Sequence, residues 1–192
     1  MADNISYKIR PATLNDLDAM REICVETSSL PLRNEKDRQL LLLMYCDSYV
    51  EYTSDCFVAV DENDRPIGYI LCAANTKEFL KVFSKNVHPQ ISKLGFKYAL
   101  MSRGSLIAQR LLLPFAPAHL HIDLTKSARR KGIGTALINA LKEHLSAQGV
   151  EKVQLTCGSK NYAAIAFYKR NGFKTVVKGF GACVMRSGTK SS

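Results

Sequence analysis

The chain has 192 residues, of which 46% are hydrophobic, and a formal net charge of +10. This length and composition indicate a single globular domain, and no apolar run approaches the roughly 20 residues that a membrane-spanning helix needs. The N-terminal residues show no basic segment followed by an apolar one, so we expect a cytoplasmic protein without a secretory signal and without membrane binding.

The first part of the chain contains both helical and strand-like periodicities. Apolar residues recur at helical spacing in 14–28 and 35–50, which predicts two helices. Strands are predicted at 7–10, 56–61 and 67–73. The polar residues between the last two strands predict a hairpin turn.

An unusually long connection, residues 75–117, follows this hairpin. Apolar residues at helical spacing around Phe79 and Leu106 predict helices within it. Inserted segments between core elements commonly carry specificity, so the connection is a candidate wall or lid of a substrate cleft. A stabilising cap, or a contact between the two copies of a homodimer, is an equal alternative.

The second half of the chain alternates between strands and helices, and it completes one domain over residues 1–186. The residues after that, 187–192, are expected to form a disordered tail. The predicted elements are strands at 119–125 and 152–156, helices at 132–148 and 161–171, and a closing pair of strands near 173–178 and 182–186.

The turn before the helix at 132–148 has the composition of a phosphate-binding site. Gly132 and Gly134 lie at the helix start, where backbone N–H groups lack partners within the helix and the helix dipole is positive. A glycine lets an anion approach the backbone closely. The Rossmann pattern would need a glycine where Leu137 stands, and the P-loop pattern would need a lysine between Gly134 and Thr135.

The turn reads Arg129-x-x-Gly132-x-Gly134, and a second motif runs from Asn161 to Phe173 as N-x-x-A-x-x-x-Y-x-x-x-G-F. Both resemble motifs of the GNAT family of N-acetyltransferases, whose signature at the turn is R/Q-x-x-G-x-G/A. The two motifs occur in the family's order, and the resemblance covers nearly the whole chain. Within the family, the chain is similar to the acetyltransferase-like domain at the C-terminus of O-GlcNAcases and to its stand-alone bacterial relatives.

The resemblance implies a mixed α/β fold, in which a mostly antiparallel sheet of six to seven strands is flanked by helices and a helical insertion precedes the cofactor-binding strand. It also implies acetyl-CoA as co-substrate. The strand at Ile122, Leu124 and Thr125 would pair with the pantetheine arm, which Asn161 and Tyr168 would also contact. The pyrophosphate would lie against the turn residues Arg129, Arg130, Lys131, Gly132, Ile133, Gly134 and Thr135.

The same segments contain a candidate base and a candidate acid. An alkylamine with a pKa of about 10.4 is mostly protonated at neutral pH, so a base would assist its attack. His121 and Asp123 share one face of the predicted strand, and each is either a base or a hydrogen-bonded structural residue, with Glu51 as a weaker candidate. Tyr168 matches the family tyrosine that protonates the departing thiolate, and its alternative is an aromatic of the core.

These residues predict an acetyl-CoA-dependent N-acetyltransferase, in which a primary amine of a small molecule or of a protein attacks directly in a ternary complex. The alternative is a non-catalytic acyl-CoA-binding or sensor module. The six cysteines are scattered, and we expect them to be buried, reduced thiols. No metal-ligand spacing and no nucleic-acid-binding motif is recognised, so we expect neither a metal nor a nucleic-acid partner.

Overall fold

The computed structural model describes residues 6–179 and 181–190, and its strands form one sheet in the order β1-β2-β3-β4-β5-β7-β6. Every neighbouring pair is antiparallel except β4 and β5, which are parallel. The predicted mostly antiparallel sheet is therefore confirmed. The strands are β1 Lys8–Pro11, β2 Phe57–Val60, β3 Pro66–Ala73, β4 Ala118–Leu124, β5 Lys152–Gly158, β6 Lys174–Gly179 and β7 Ala182–Gly188.

Helices cover both faces of this sheet. The helix predicted over 35–50 ends at Tyr45, and a 3₁₀ segment, Asp47–Asp55, replaces its last turn. That segment is rich in aromatic and β-branched residues, which have low helix propensity. The α-helices are α1 Leu17–Thr27, α2 Glu35–Tyr45, α3 Thr76–Val82, α4 His88–Leu94, α5 Phe96–Leu112, α6 Ile133–Ala147 and α7 Tyr162–Arg170.

Two apolar cores lie on opposite sides of the sheet. On one side, Leu137, Leu141 and Leu145 of α6 are fully buried, and this helix packs mainly against β2 and β3. On the other side, α1 and the 3₁₀ segment pack against β3, and α2 to α5 contribute to the same apolar core. Side chains of β4 alternate between the two, since Leu120 and Ile122 join the α6 core while the histidines face the opposite helices.

The insertion at 75–117 contains α3, α4 and α5, as its helical spacing predicts. Its two ends meet, because the backbone N–H of Thr76 donates to the carbonyl of Pro117 over 2.7 Å. It packs beside α2, where the hydroxyl of Tyr98 donates to the Asp37 carboxylate over 2.8 Å. No helix in the described part of the chain is long and apolar enough to cross a membrane.

The prediction of a disordered tail from residue 187 is wrong for the first residues of that segment. Ser187 and Gly188 belong to β7, where they pair with Val153 and Lys152 of β5. The next residue, Thr189, is buried and donates its hydroxyl to the carbonyl of Val150 over 2.6 Å. Pairing with β5 orders this segment despite its small polar residues, and the last two residues of the predicted tail lie outside the described residues.

Candidate active site

β4 and β5 separate from each other soon after they begin. They pair only at Ala118 with Val153 and at His119 with Gln154. Beyond these pairs β4 is paired with β3 alone, out to Leu124, and β5 is paired with β7. The two strands therefore enclose a wedge, in which the β5-facing edge of β4 is free to hydrogen-bond an extended ligand.

The turn after β4 presents backbone N–H groups and basic side chains at the open end of this wedge. Gly132, the N-cap of α6, has φ +80°, and Arg130 has φ +63°, so both residues lie in the left-handed region. Left-handed residues in a turn make a concave surface of N–H groups that suits an anion. No side chain caps the start of α6.

The three basic residues of the turn differ in their surroundings. The Nε of Arg129 donates to the carbonyl of Leu124 over 3.2 Å, which holds this guanidinium against the end of β4. Arg130 is exposed and Lys131 is half-buried. Within residues 6–179 and 181–190 none of the three forms a salt bridge, so their charges are not neutralised by a nearby carboxylate.

The two glycines of the turn have different roles. A Cβ at Gly132 would meet no atom within 4 Å, so this glycine serves the left-handed backbone and leaves open space above it. A Cβ at Gly134 would lie 2.9 Å from Cζ of Phe167, so this glycine is required by the packing of α6 against α7. The sequence predicts that both glycines admit an anion. Only Gly132 leaves open space beside its backbone, because Phe167 occupies that space at Gly134.

Asn161 and Tyr168 lie at the start and near the end of α7. The Asn161 side chain accepts a hydrogen bond of 3.1 Å from the N–H of Ala164, so it caps the start of the helix. Tyr168 is half-buried and packs against Phe167 and Phe173. Burial is the main cause that raises the pKa of Tyr168 above its usual 10, and the Asp123 carboxylate adds to it, so Tyr168 carries its proton at neutral pH.

On the opposite face of β4, His121 and Asp123 form a pair. The Nε2 of His121 lies 2.9 Å from the carboxylate of Asp123, and their side chains are 30% and 22% exposed. The hydroxyl of Tyr69, on β3, donates to the same carboxylate over 2.8 Å. The rings of Tyr45 and Tyr69 pack beside the imidazole.

The pair is charged at neutral pH. Burial alone would lower the pKa of His121, but the Asp123 carboxylate outweighs it and raises this pKa to about 10. Burial alone would raise the pKa of Asp123, but His121 and the hydrogen bond from Tyr69 hold it below its usual value. The site therefore presents an imidazolium beside a carboxylate, and the carboxylate is the member with free lone pairs.

His119 has another role, although it is only two residues away on the same face. Its Nδ1 lies 2.9 Å from the hydroxyl of Thr76, and its ring packs against Tyr49 and Phe79. Burial lowers the pKa of His119 to about 4, so it is neutral at physiological pH. It is a structural histidine that ties β4 to the beginning of the insertion.

Three further residues lie around the pair, and no pattern in the sequence predicts that they do. Cys24 of α1 approaches His121, and its thiol lies with an imidazole nitrogen and the Asp123 carboxylate within a group of atoms no more than 4.8 Å apart. Tyr45 and Tyr69 come from α2 and β3. All three are far from β4 along the chain, and only helix packing and strand pairing bring them to it.

The remaining candidates lie outside this cluster. Glu51 is exposed and accepts a hydrogen bond of 3.3 Å from Asn86, in the insertion. Cys157 is half-buried, and burial raises its pKa to about 11, so it is a thiol at neutral pH. The expected reduced cysteines are confirmed, since all six are free and all except Cys157 are buried.

Comparison with known proteins connects this geometry to a family. Residues 17–173 match the sequence model of the acetyltransferase (GNAT) family. An uncharacterised N-acetyltransferase of Methanocaldococcus jannaschii is 27% identical over 184 residues, which are 94% of this chain and 67% of that protein. An N-alpha-acetyltransferase of Sulfolobus acidocaldarius is 27% identical over 173 residues, which are 90% of this chain and 82% of that protein.

Solved structures have the same architecture. The crystal structure of SsHAT superposes with a TM-score of 0.87 at 25% identity, covering 97% of this chain and all of that one (100%). The PaiA N-acetyltransferase of Thermoplasma acidophilum, solved in complex with coenzyme A, superposes with a TM-score of 0.55 at 15% identity over 96% of this chain and 99% of that one. The similarity to the PaiA structure shows the fold alone.

Proposed function

This chain belongs to the acetyltransferase (GNAT) family, and we propose that it transfers the acetyl group of acetyl-CoA to a primary amine by direct attack in a ternary complex. The observation that carries the proposal is the wedge between β4 and β5. The protonated Tyr168 phenol lies on α7 beside it, and the charged His121–Asp123 pair lies on the other face of β4. A donor in the wedge would have an acid and an acceptor site on opposite sides.

The residues around the wedge fit coenzyme A. The free edge of β4 at Ile122 and Leu124 offers backbone groups to the amide-containing pantetheine arm. The uncapped start of α6, from Ile133 to Thr135, and the open space above Gly132 suit a pyrophosphate. The basic side chains of the turn, which form no salt bridge with any residue that the structure describes, add charge attraction. When bound, acetyl-CoA supplies the activated acetyl thioester.

Asp123 is the group that we assign to acceptor binding. Its carboxylate is held by His121 and Tyr69 and has lone pairs left for an ammonium group. An arriving ammonium competes for the carboxylate and thereby weakens the contact that keeps the His121 proton in place. His121 then loses that proton to solvent and can accept one from the amine. The rate of transfer is therefore low wherever His121 stays protonated.

Tyr168 is the proposed acid. Its raised pKa keeps the hydroxyl protonated, and its position beside the wedge allows it to donate to the sulfur that leaves. This leaves a phenolate on Tyr168, which regains its proton from solvent, so no anion stays in the half-buried site. Backbone N–H groups of β4 near Ile122 to Leu124 would polarise the thioester carbonyl.

The acceptor that we propose is an α-amino group of a peptide or protein. The relative from Sulfolobus acidocaldarius carries the name N-alpha-acetyltransferase, which supports this choice. An α-amine has a pKa of about 7.7–8.0, so far more of it is unprotonated at neutral pH than of a lysine side chain. Such an amine needs only weak assistance from His121 and Asp123 to lose its proton.

The direct test measures release of the coenzyme A thiol with three acceptors: a peptide with a free N-terminus, the same peptide with a blocked N-terminus and a free lysine, and a small alkylamine. We expect turnover with the free N-terminus. Tyr168→Phe should lower kcat about a hundredfold and leave the affinity for coenzyme A within about twofold, as for loss of one general acid. Tyr162→Phe, on the same helix but 70% exposed, is the matched control.

Two results would contradict the proposal. If coenzyme A binds but no acceptor is acetylated, the chain is a non-catalytic acyl-CoA-binding module. If Tyr168→Phe and Tyr162→Phe have the same kcat, the acid is another group. Calorimetric titration with coenzyme A separates these outcomes from a loss of folding.

A further inference from the structure

Helix α5 exposes an apolar stripe on its outer side. Phe96 is 86% exposed, Leu100 61%, Ile107 57% and Leu111 71%. Their spacings of four, seven and four residues place the four side chains in one line along the helix. The inner side holds the buried residues of the same helix, so this stripe is the face that the fold leaves uncovered.

Basic side chains border the stripe on both sides. At about 100° per residue, Arg103 and Arg110 project along one edge, and Lys97 leaves the helix along the other, with its Nζ 4.4 Å from the centroid of the Tyr98 ring. The helix contains no Asp or Glu. In the part of the chain that the structure describes, none of these three basic residues forms a salt bridge.

The exposed face is a ridge. A Cβ at Gly104, near its middle, would meet no atom of residues 6–179 and 181–190 within 4 Å, so no element in this part of the chain rises beside the helix there. Phe96 and Leu111, at the two ends, are the most exposed large apolar side chains of the helix. A ridge of this kind suits a flat, deformable surface, whereas a folded partner would have to supply a matching groove.

We propose that α5 lies in the headgroup region of an anionic membrane, with its apolar stripe toward the acyl chains and Lys97, Arg103 and Arg110 against the acidic headgroups. A helix with one apolar face and basic borders binds in the plane of the interface, and its basic residues add attraction to acidic lipids. We expect no membrane binding from sequence because no segment is long enough to span a bilayer. Interfacial binding needs only this exposed face.

Charge favours a lipid surface over two other occupants. A second copy packing antiparallel on the stripe would bring Arg110 of one chain near Lys97 of the other, with no acidic residue on either helix to compensate. A nucleic acid would attract the basic residues but would leave Phe96 and Ile107 without apolar partners. Acidic phospholipids match both the charges and the apolar side chains.

The test is sedimentation of the full chain with vesicles of phosphatidylcholine alone and of phosphatidylcholine mixed with phosphatidylglycerol. We expect binding to the mixed vesicles only, weakening as salt rises. The double substitution Leu100→Gln and Ile107→Gln keeps the charge and should lower partitioning at least about tenfold. Leu14→Gln, at an apolar residue that is 63% exposed elsewhere, is the matched control and should bind as the unmodified chain does.

A second pair of variants, Arg103→Gln with Arg110→Gln, should lose most of the preference for the acidic vesicles. The proposal is overturned if no vesicle is bound, or if the Leu100→Gln and Ile107→Gln chain binds as well as the control. It is also overturned if the unmodified chain forms a dimer without lipid that these two substitutions dissociate, because the stripe then belongs to a second copy. Thermal unfolding of each variant checks that it folds. The readout does not involve acetyl transfer, so it stands apart from the proposed function.

Discussion

The hydroxyl of Tyr69 donates a 2.8 Å hydrogen bond to the carboxylate of Asp123, and the two residues are opposite each other in the β3–β4 ladder. Strand pairing thus fixes the donor beside the acceptor, and Nε2 of His121 lies 2.9 Å from the same carboxylate oxygen, Oδ2. Two side chains therefore hold Asp123 through one oxygen. This arrangement makes Tyr69 a positioning residue for the proposed acceptor site.

Replacing Tyr69 by Phe removes only this donor. A hydrogen bond to a charged group contributes about 1.5–3 kcal/mol, so we expect kcat/KM for the acceptor to fall roughly 10- to 150-fold, while the affinity for coenzyme A stays the same. Tyr45→Phe is the control, since the Tyr45 ring packs beside His121 as the Tyr69 ring does. Steady-state kinetics with varied acceptor decides the matter, and equal effects of the two substitutions would count against a positioning role.

The pH dependence of turnover should reveal His121. Because Asp123 raises the pKa of His121 to about 10, the protonated, inactive form dominates at neutral pH and is lost as the pH rises toward 10. With an α-amine acceptor, whose own pKa is about 8, kcat/KM should rise first with the amine and then again toward pH 10. His121→Gln should abolish the second rise only. A second rise that persists in this variant would assign it to another group.

Gly134→Ala should destabilise the fold. Its new Cβ would lie 2.9 Å from Cζ of Phe167, and overpacking of this kind costs about 1–3 kcal/mol. The second substitution Phe167→Leu should recover part of the loss. Gly104→Ala, in the middle of α5 with nothing within 4 Å, is expected to stabilise by about 0.5–1 kcal/mol. Urea unfolding measures all of these, and equal stability of Gly134→Ala and the unmodified chain would contradict the packing role.

Asp16 should make the stability of the protein depend on acid pH. Its buried carboxylate accepts two hydrogen bonds of 2.8 Å from Arg10 and one from the N–H of Thr13, and the bonds from Arg10 are the main cause of its lowered pKa. A lowered pKa stabilises the folded state above the unfolded value of about 3.9, and this stability is lost as pH falls through the folded value.

Asp16→Asn should therefore cost about 2 kcal/mol at pH 7, less than the roughly 3–5 kcal/mol of a fully buried pair because Arg10 keeps its second partner, Asp64. The difference from the unmodified chain should shrink below pH 4. Asp64→Asn, at the exposed end of the same network, should change the free energy of unfolding by less than about 1 kcal/mol. A difference for Asp16→Asn that is constant from pH 7 to 3 would refute the assignment.

The sequence alone was sufficient for the family and for most of the fold. Periodicity predicted the strands and helices around the turn, and the glycine and asparagine motifs identified an acetyltransferase of the GNAT family, as the family comparison confirms. These features are local: the segment from Arg129 to Gly134 needs only its own neighbours to form a left-handed turn before a helix. The similarity to the O-GlcNAcase domain and the roles of the site residues stay predictions.

Only the tertiary structure decided which polar residues act together. His119 and His121 look equivalent in the sequence, yet packing under α3 makes the first neutral while Asp123 makes the second an imidazolium. Cys24 and Tyr69 join the site through helix packing and strand pairing, which residue spacing does not show. The exposed stripe of α5 has the same origin: helical spacing predicts an apolar face, but only the folded chain shows whether another element covers it.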